Sequence, residues 1–166
     1  MGTVRRVSDA FHDLMGRLDR PMYVVTAADG DHRSGCLVGF ATQVCIDPPR
    51  FLACVSDKNH THGVAVVAET VAVHVLRRDQ YDVAALFGGE TGDEVDKFAR
   101  VAWSPGPGGV PVLDDCLGWF AGRVLDRVGM GDHTGLVLEP VETRQVRDGE
   151  PLTFDDVRDL EPGHEA

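Results

Sequence analysis

The 166-residue sequence predicts one mainly-β domain, a β-barrel that carries a few short helices. Five to seven short segments are apolar or alternate between apolar and polar residues, and turn-forming residues bound them, which is typical of strands. Turn signals such as Asp29-Gly30-Asp31 join neighbouring segments into hairpins. Because the strands do not alternate regularly with long helices, the pattern does not favour a doubly wound parallel sheet.

The first third of the chain is predicted to contain one helix and three strands. Ser8 is expected to cap the helix, which Asp19-Arg20-Pro21 ends. The apolar face of this helix carries Phe11, Leu14, Met15 and Leu18. The strands are predicted over residues 22–27, 35–44 and 51–56. Asp47-Pro48-Pro49 separates the last two strands, and because proline lacks an N–H and fixes φ, we expect a stiff extended corner there.

The remainder of the chain is predicted to hold two short helices and a long hairpin. One helix is predicted over residues 61–68, followed by a strand over residues 70–76. Asp79 is expected to cap the second helix, QYDVAALF, which Gly88-Gly89 ends. A further helical turn is expected within residues 92–100 and a loop over residues 104–109. The hairpin pairs residues 117–128 with residues 133–146 through the turn 129–132.

The domain organisation is predicted to be simple. We assign residues 1–150 to the barrel domain and residues 151–166 to an acidic C-terminal tail. The tail sequence, PLTFDDVRDLEPGHEA, is charged and is expected to pack loosely or to be mobile at its end.

Charge and cysteine content exclude several classes of function. The formal net charge of −11 argues against non-specific attraction to nucleic acid or to an anionic membrane. The four cysteines form no C-x-x-C pair, which favours reduced thiols in a cytoplasmic protein. The sequence shows neither a signal peptide nor an apolar run of about 18 residues, so we expect no membrane span.

Two motifs that could bind a metal or a dinucleotide are incomplete. His60 and His62 form an H-x-H, but no C-x-x-C or H-x-x-x-H supplies further ligands, so we predict no metal site. The stretch GPGG, residues 106–109, lacks the spacing and the strand and helix that flank a dinucleotide-binding loop.

The stretch SDKNHTHG, residues 56–63, is the stronger candidate for a binding site. It follows a predicted strand and opens a helix at Thr61, so unpartnered N–H groups and the positive end of the helix dipole face the loop. Lys58 adds a charge, and Asn59, His60 and Thr61 add hydrogen-bond donors. This arrangement suits a phosphate, although a capped helix with exposed polar residues fits the spacing equally well.

The stretch GDH, residues 131–133, lies at the tip of the predicted long hairpin. A histidine beside a glycine turn is most often simply exposed. If the tip folds over a pocket, the imidazole of His133 can bind or protonate a reduced ring.

Six stretches in order resemble the flavin reductase-like family, the FMN-binding split barrels that serve as reductase components of two-component flavin monooxygenases. They are YVVTAADGDHRSG, GFATQVCIDPPRFLACVS, VAVHVLRRDQYDVAALF, DEVDKF, GVPVLDD and GDHTGLVLEPV. The match runs over about three quarters of the chain, and the ordered set carries it rather than any single stretch.

The resemblance implies a split-barrel domain over residues 1–150, a homodimer, and FMN or FAD near the dimer interface, with NADH or NADPH as hydride donor. The strand before the diproline corner would run along the flavin ring. The residues in that strand are Gly39, Phe40, Ala41, Thr42, Gln43, Val44 and Cys45. The loop of Lys58, Asn59, His60 and Thr61 would hold the phosphate, and His133 would lie toward the nicotinamide and act in catalysis.

Three functions follow from this resemblance. The leading hypothesis is an NAD(P)H-dependent flavin reductase whose flavin stays bound or leaves for a partner monooxygenase. A second is a split barrel that holds flavin without turnover, as a carrier or sensor, and a third is a deazaflavin-dependent reductase. The sequence alone leaves all three open.

Overall fold

The computed structural model describes residues 6–89 and 96–161 and confirms the prediction of a mainly-β protein with short helices. The helices are α1 Val7–Gly16, α2 His60–Ala65 and α3 Tyr81–Gly89. The strands are β1 Tyr23–Asp29, β2 His32–Val38, β3 Ala41–Cys45, β4 Arg50–Ser56, β5 Thr70–Val75, β6 Trp103–Pro105, β7 Pro111–Leu113, β8 Gly118–Gly129 and β9 His133–Gln145. Short 3₁₀ turns cover Lys97–Ala99, Pro107–Gly109 and Phe154–Val157.

Seven strands form one antiparallel sheet in the order β2-β1-β5-β8-β9-β4-β3, and β6 pairs with β7 separately. The two edge strands, β2 and β3, are consecutive in the chain, and only Gly39 and Phe40 lie between them. Three peptide steps span at most about 11 Å. The two edges must therefore lie close together, so the sheet curls on itself.

The predicted continuous strand over residues 35–44 is wrong, because the chain bends at Gly39 and Phe40. The Phe40 carbonyl accepts a hydrogen bond from the Cys54 N–H at 2.9 Å, which directs the chain onto β4. A Cβ on Gly39 would lie 3.0 Å from Met22 Sδ, so this bend packs closely against the residue that precedes β1.

Apolar residues pack on both faces of the sheet. Along β1, Val24 belongs to the cluster under α3, whereas Val25 belongs to the cluster that includes α2, as the twofold periodicity of a strand requires. Strand β5 alternates in the same way through Val71 and Ala72. Burial on both faces explains why β1 and β5 read as nearly continuous apolar runs.

Helix α1 and the diproline segment differ from expectation. Ser8 lies inside α1 rather than at its cap, since the N-cap position is Arg6 and no side chain caps it. The expected apolar face exists, but the helix buries none of its residues, and Phe11 is 56% exposed. Residues 46–49 form a turn with a cis Asp47–Pro48 peptide rather than an extended corner.

The C-terminal segment is packed rather than loose over the residues that the structure describes. Leu152 and Val157 are buried, and Leu152 exchanges backbone hydrogen bonds with Met22 and Leu76. The Phe154 N–H donates to the Arg20 carbonyl at 2.8 Å. Residues 162–166, where mobility was expected, and residues 92–95 of the expected helical turn lie outside the described residues.

Within residues 6–89 and 96–161, helices are too short and too polar to cross a bilayer.

His74, on β5, is a fully buried histidine whose two ring nitrogens are both hydrogen-bonded. Nδ1 donates to the Val24 carbonyl at 2.9 Å, and Nε2 accepts from the Leu113 N–H at 3.0 Å. This pairing requires the neutral ring, since a protonated Nε2 cannot accept. Burial lowers the pKa of His74 to about 4 despite the opposing hydrogen bond to Val24.

We predict that protonation of His74 contributes to acid unfolding. The unfolded chain binds this proton near pH 6.5 and the folded chain only near pH 4, so the stabilisation is complete above pH 6.5 and is lost as pH falls toward 4. Urea unfolding of the wild type and of His74→Gln between about pH 4.5 and pH 7 measures it. The free energy of unfolding should depend on pH more steeply in the wild type, by up to about 1.4 kcal/mol per pH unit. The exposed His12→Gln should keep the wild-type slope, and equal slopes in all three proteins would contradict the assignment.

Candidate functional site

A cleft of about 150 Å³ lies beside the Gly39–Phe40 bend, where β2, β4, the start of β9 and the segment before β1 meet. Met22, Val38 and Phe40 make part of its wall apolar. Four other lining residues bring polar groups. They are Arg20, Ser56, Asn59 and His133. The cleft therefore combines a surface for a flat apolar ring with hydrogen-bonding and cationic groups.

His133 lies in the cleft, and this is the position that a role in binding or in proton transfer requires. It is the first residue of β9 and pairs with Ser56 of β4. Its ring centroid is 5.2 Å from that of Phe40. Its Nδ1 donates to Asp132 Oδ1 at 2.8 Å, and this bond lowers the pKa of Asp132. The bond fixes the ring and leaves Nε2 without a hydrogen bond to the described residues.

Arg20 is a cleft residue that sequence reasoning missed. Its guanidinium lies over the Phe154 ring at 4.0 Å and near the Phe40 ring at 5.5 Å. Its Nε is buried and hydrogen-bonds to no group within residues 6–89 and 96–161. In the sequence, Arg20 reads only as part of a helix stop, because its ring partner Phe154 is distant along the chain.

The four residues predicted to hold a phosphate have different surroundings. Lys58 is exposed, while Asn59 lines the cleft and caps α2 by accepting from the Thr61 N–H at 3.0 Å. Thr61 is buried and its hydroxyl hydrogen-bonds to Ser34 at 2.8 Å. His60 lies against His32, with their Nε2 atoms 3.1 Å apart. The Thr61 groups are thus engaged in the fold, whereas Asn59 lines the cleft and the exposed Lys58 precedes it in the chain.

The predicted ring-binding strand continues from the cleft as the edge strand β3. Gly39 and Phe40 line the cleft, and Phe40 is 55% exposed. The next residues, Ala41 to Cys45, pair with β4 on one side, and the sheet order places no strand on the other. The Gln43 amide folds back, since Nε2 donates to the Cys45 carbonyl at 3.2 Å. Backbone groups, rather than the Gln43 amide nitrogen, are therefore what β3 offers to a ligand.

Cys54, which was not predicted, also lines the cleft, and so does Ser56, the first residue of the predicted stretch 56–63. They belong to β4 and alternate with the buried core residues Ala53 and Val55, so the alternation in the sequence was the signal for them. Burial raises the pKa of the Cys54 thiol, which makes it a poor nucleophile.

No cluster of three or more His, Cys, Asp or Glu side chains suited to a metal ion occurs in the described part of the chain. His60 and His62 diverge from each other, since His62 Nε2 lies 2.9 Å from Thr134 Oγ1 and 3.1 Å from Asp57 Oδ1.

Larger clefts lie elsewhere on the surface, but they carry less chemistry. One of about 740 Å³ runs between Arg77 and Arg147, and both guanidinium groups contact Asp115. Another of about 580 Å³ lies beside Trp119. None of the residues that the sequence predicted to bind a cofactor or to act in catalysis lines either cleft.

Comparison with known proteins identifies relatives over most of the chain. The chain is 32% identical over 131 residues to the FMN reductase (NADH) RutF of Bradyrhizobium diazoefficiens, covering 79% of this chain and 72% of that one. It is 31% identical over 144 residues to the reductase component of a 4-nitrophenol 4-monooxygenase/4-nitrocatechol 2-monooxygenase of Rhodococcus opacus, covering 87% and 75%. The matched part of this chain covers only 40% to 59% of the length of three further relatives.

Solved structures show the same fold. The NADH:FAD oxidoreductase SgcE6 of Streptomyces globisporus superposes with a TM-score of 0.82 over 92% of each chain, at 24% identity. The family model described as "Flavin reductase like domain" matches residues 15–161, which include the edge strands, the cleft and the packed C-terminal segment. The chain therefore belongs to the flavin reductase-like domain family.

Proposed function

We propose that this protein is an NAD(P)H-dependent flavin reductase that binds FMN or FAD in the cleft beside Gly39 and Phe40. The observation that carries the proposal is the family match over residues 15–161 together with a cleft that holds an aromatic side chain, an oriented imidazole and a guanidinium. Relatives named FMN reductase (NADH) and NADH:FAD oxidoreductase support the reaction and both cofactors.

The residues present fit a flavin. A flavin needs an apolar surface for its ring, hydrogen bonds along its polar edge and a cation for its phosphate. Phe40 and Met22 offer the first, and the unpaired edge of β3 offers backbone N–H and C=O groups for the second. Lys58, beside Asn59, is the residue to which we assign the phosphate. The buried, unsatisfied Nε of Arg20 is a further sign that the cleft is completed by a ligand.

The chain's own part in the reaction is to bind, orient and supply a proton. When bound, the flavin accepts a hydride from the nicotinamide, which is chemistry of the two cofactors. Asp132 holds the His133 ring through Nδ1, so Nε2 is the atom available to hydrogen-bond the nicotinamide or to carry a proton beside the reduced ring. The Phe40 ring contacts the His133 imidazole and helps to exclude water from it.

We infer a split barrel that works as a homodimer, because one copy cannot enclose a flavin. Small-molecule sites usually measure about 300–1,000 Å³, whereas this cleft measures about 150 Å³. Beside it, Phe40, Val44 and Ile46 expose apolar side chains along β3, and Ile46 is 85% exposed. An exposed, unpaired, apolar edge strand normally has a partner. A second copy placed against β3 would supply the missing wall.

A partner monooxygenase and a cytoplasmic location complete the proposal. The relative from Rhodococcus opacus is named as a reductase component of a monooxygenase, which supports a role in supplying reduced flavin to a partner enzyme. Four free thiols, with Cys36 and Cys116 buried, suit a reducing compartment.

Flavin binding with phosphate recognition at Lys58 is the first test of this function. Titration of the flavin-free protein with FMN, followed by flavin fluorescence, should saturate within tens of micromolar. Lys58→Ala should weaken FMN about tenfold or more and leave riboflavin unchanged, because only FMN presents the anion. The exposed Lys58 lies outside the core, so the fold should persist. Absence of saturable binding of either flavin would refute the proposed function, and equal losses for both would move the phosphate elsewhere.

A role of His133 in donor use gives a second test. His133→Gln should lower kcat/KM for NADH at least several-fold, and up to about 10²–10⁴-fold if Nε2 supplies a proton, while the Kd of the flavin stays near the wild-type value. Steady-state oxidation of NADH with FMN measures the first quantity and fluorescence titration the second. His12→Gln, an exposed histidine on α1, is the matched control. Full turnover in His133→Gln would leave the residue as a surface histidine.

The assembly gives a third test. Sedimentation equilibrium should yield a particle of twice the 18.0 kDa chain mass. Val44→Glu, on the exposed edge of β3, should shift the particle toward the monomer and weaken flavin binding in parallel, because a charge at an apolar contact opposes association. Glu substituted at Val67, an exposed apolar residue after α2, is the control. A wild-type monomer that binds flavin with full affinity would exclude the shared site.

A further inference from the structure

The cleft wall contains a permanent positive charge, the guanidinium of Arg20, which hydrogen-bonds to no carboxylate in the described part of the chain. The side-chain N–H groups of Arg20 donate no hydrogen bond to the described residues, and its Nε is buried. Several other arginines on this acidic chain contact carboxylates, among them Arg77 with Asp115 and Arg123 with Glu139. A buried, unsatisfied donor on a charged group is unfavourable, so its retention calls for an explanation.

The Arg20 side chain is nevertheless held in one place. Its guanidinium lies 4.0 Å from the centroid of Phe154 and 5.5 Å from that of Phe40. Gly39 permits this position, because a Cβ there would lie 3.1 Å from Arg20 Nε. Stacking of this kind uses the faces of the guanidinium and leaves its donor edge for hydrogen bonds.

The surroundings of Arg20 carry both signs of charge, a second guanidinium from Arg158 and the carboxylate of Asp19. Arg158 stacks on the same Phe154 ring at 4.5 Å, and its side chain bonds to Asp155 and the Gly16 carbonyl. Burial lowers the pKa of Arg20, and the positive charge of Arg158 lowers it further. The negative charge of Asp19 acts in the opposite direction. A residue with only a structural role would gain more from a carboxylate partner, and the chain has 27 acidic residues to supply one.

The position of Arg20 along the cleft indicates which part of a ligand it meets. Phe154, Arg20, Phe40 and His133 form one row of ring and guanidinium contacts, and Asn59 lies with Ser56 near the His133 end. Arg20 and the Lys58–Asn59 loop are therefore two separate places for anionic groups, and the Phe40 side chain lies between them.

We propose that Arg20 binds a phosphate group of a nucleotide that lies in this cleft. The proposal rests on the flavin reductase function, because both ligands of that function carry phosphate. A planar fork of N–H donors fits phosphate oxygens, and the fixed side chain loses little freedom on binding. The phosphate can belong to the flavin or to the dinucleotide donor, and the ligands chosen for the test distinguish these sources.

The test compares phosphate-bearing and phosphate-free ligands at equilibrium, without turnover. FMN and riboflavin are titrated by flavin fluorescence, and NADH and 1-benzyl-1,4-dihydronicotinamide by nicotinamide fluorescence on the flavin-free protein. Arg20→Gln should raise the Kd of FMN or of NADH about tenfold or more and leave that of the phosphate-free counterpart unchanged. A loss for NADH identifies the diphosphate of the donor, whereas a loss for FMN identifies the flavin phosphate and contradicts its assignment to Lys58.

Two further variants separate recognition from folding. Arg33→Gln removes another guanidinium that stacks on an aromatic ring, Trp103 at 4.6 Å, outside the cleft, and should change no Kd. Arg20→Lys keeps the charge but not the fork, so it should show the same selectivity with a smaller loss, and it carries the test if Arg20→Gln does not fold.

Two outcomes overturn different claims. If the wild type binds flavins and NADH and both Arg20 variants bind all four ligands as the wild type does, Arg20 has no role in phosphate recognition and the reductase function stands. If the wild type binds no flavin, the reductase function fails, and an unchanged or absent affinity for NADH then overturns the role of Arg20 as well.

Discussion

The two-residue connection between β2 and β3 is the constraint on which the rest of the fold depends. Gly39 and Phe40 join the two outermost strands of a seven-stranded sheet, so the sheet must curl until its edges nearly meet. The interior cluster that contains Val25 and Leu136 is enclosed by this curling. The same bend turns Phe40 outward and brings Arg20 and His133 to either side of it. Closure of the barrel and formation of the cleft are thus one event.

Local patterns predicted the parts of the fold that local patterns determine. The β8–β9 hairpin and the β1–β2 hairpin follow from alternation and from glycine turns. The ends of β8 and β9 were found within one residue of the prediction, whereas β2 begins three residues earlier than predicted and ends six residues earlier. The bend at Gly39 was missed because a glycine within an apolar run does not show where the chain turns; the Cys54 N–H, from another strand, decides it. The packing of Leu152 against Met22 was missed for the same reason.

In the candidate site, too, residues marked by a local sequence pattern were predicted, and residues that depend on long-range packing were missed. His133 and the Lys58–Thr61 loop were predicted from the GDH turn and from the polar start of a helix, and then from the family resemblance. The structure brings His133 and Asn59 to one cleft. It also shows Thr61 engaged with Ser34, which no motif records. Arg20 carries no motif. Its relevance arises from Phe154, more than a hundred residues later, and contacts of that range follow from packing rather than from spacing.

The C-terminal segment closes over the start of the barrel, and this has a consequence for biosynthesis. Residues 152–154 pair with residues 20–22 and place the Phe154 ring on the Arg20 guanidinium, yet a ribosome makes them after every strand of the large sheet. A nascent chain that has already formed its hairpins still exposes the backbone of Met22, which later pairs with Leu152. It also lacks the Phe154 ring on which Arg20 stacks. The seven-stranded sheet can therefore assemble during translation, whereas the Phe154 contact that holds the Arg20 guanidinium forms only when this late segment emerges and docks.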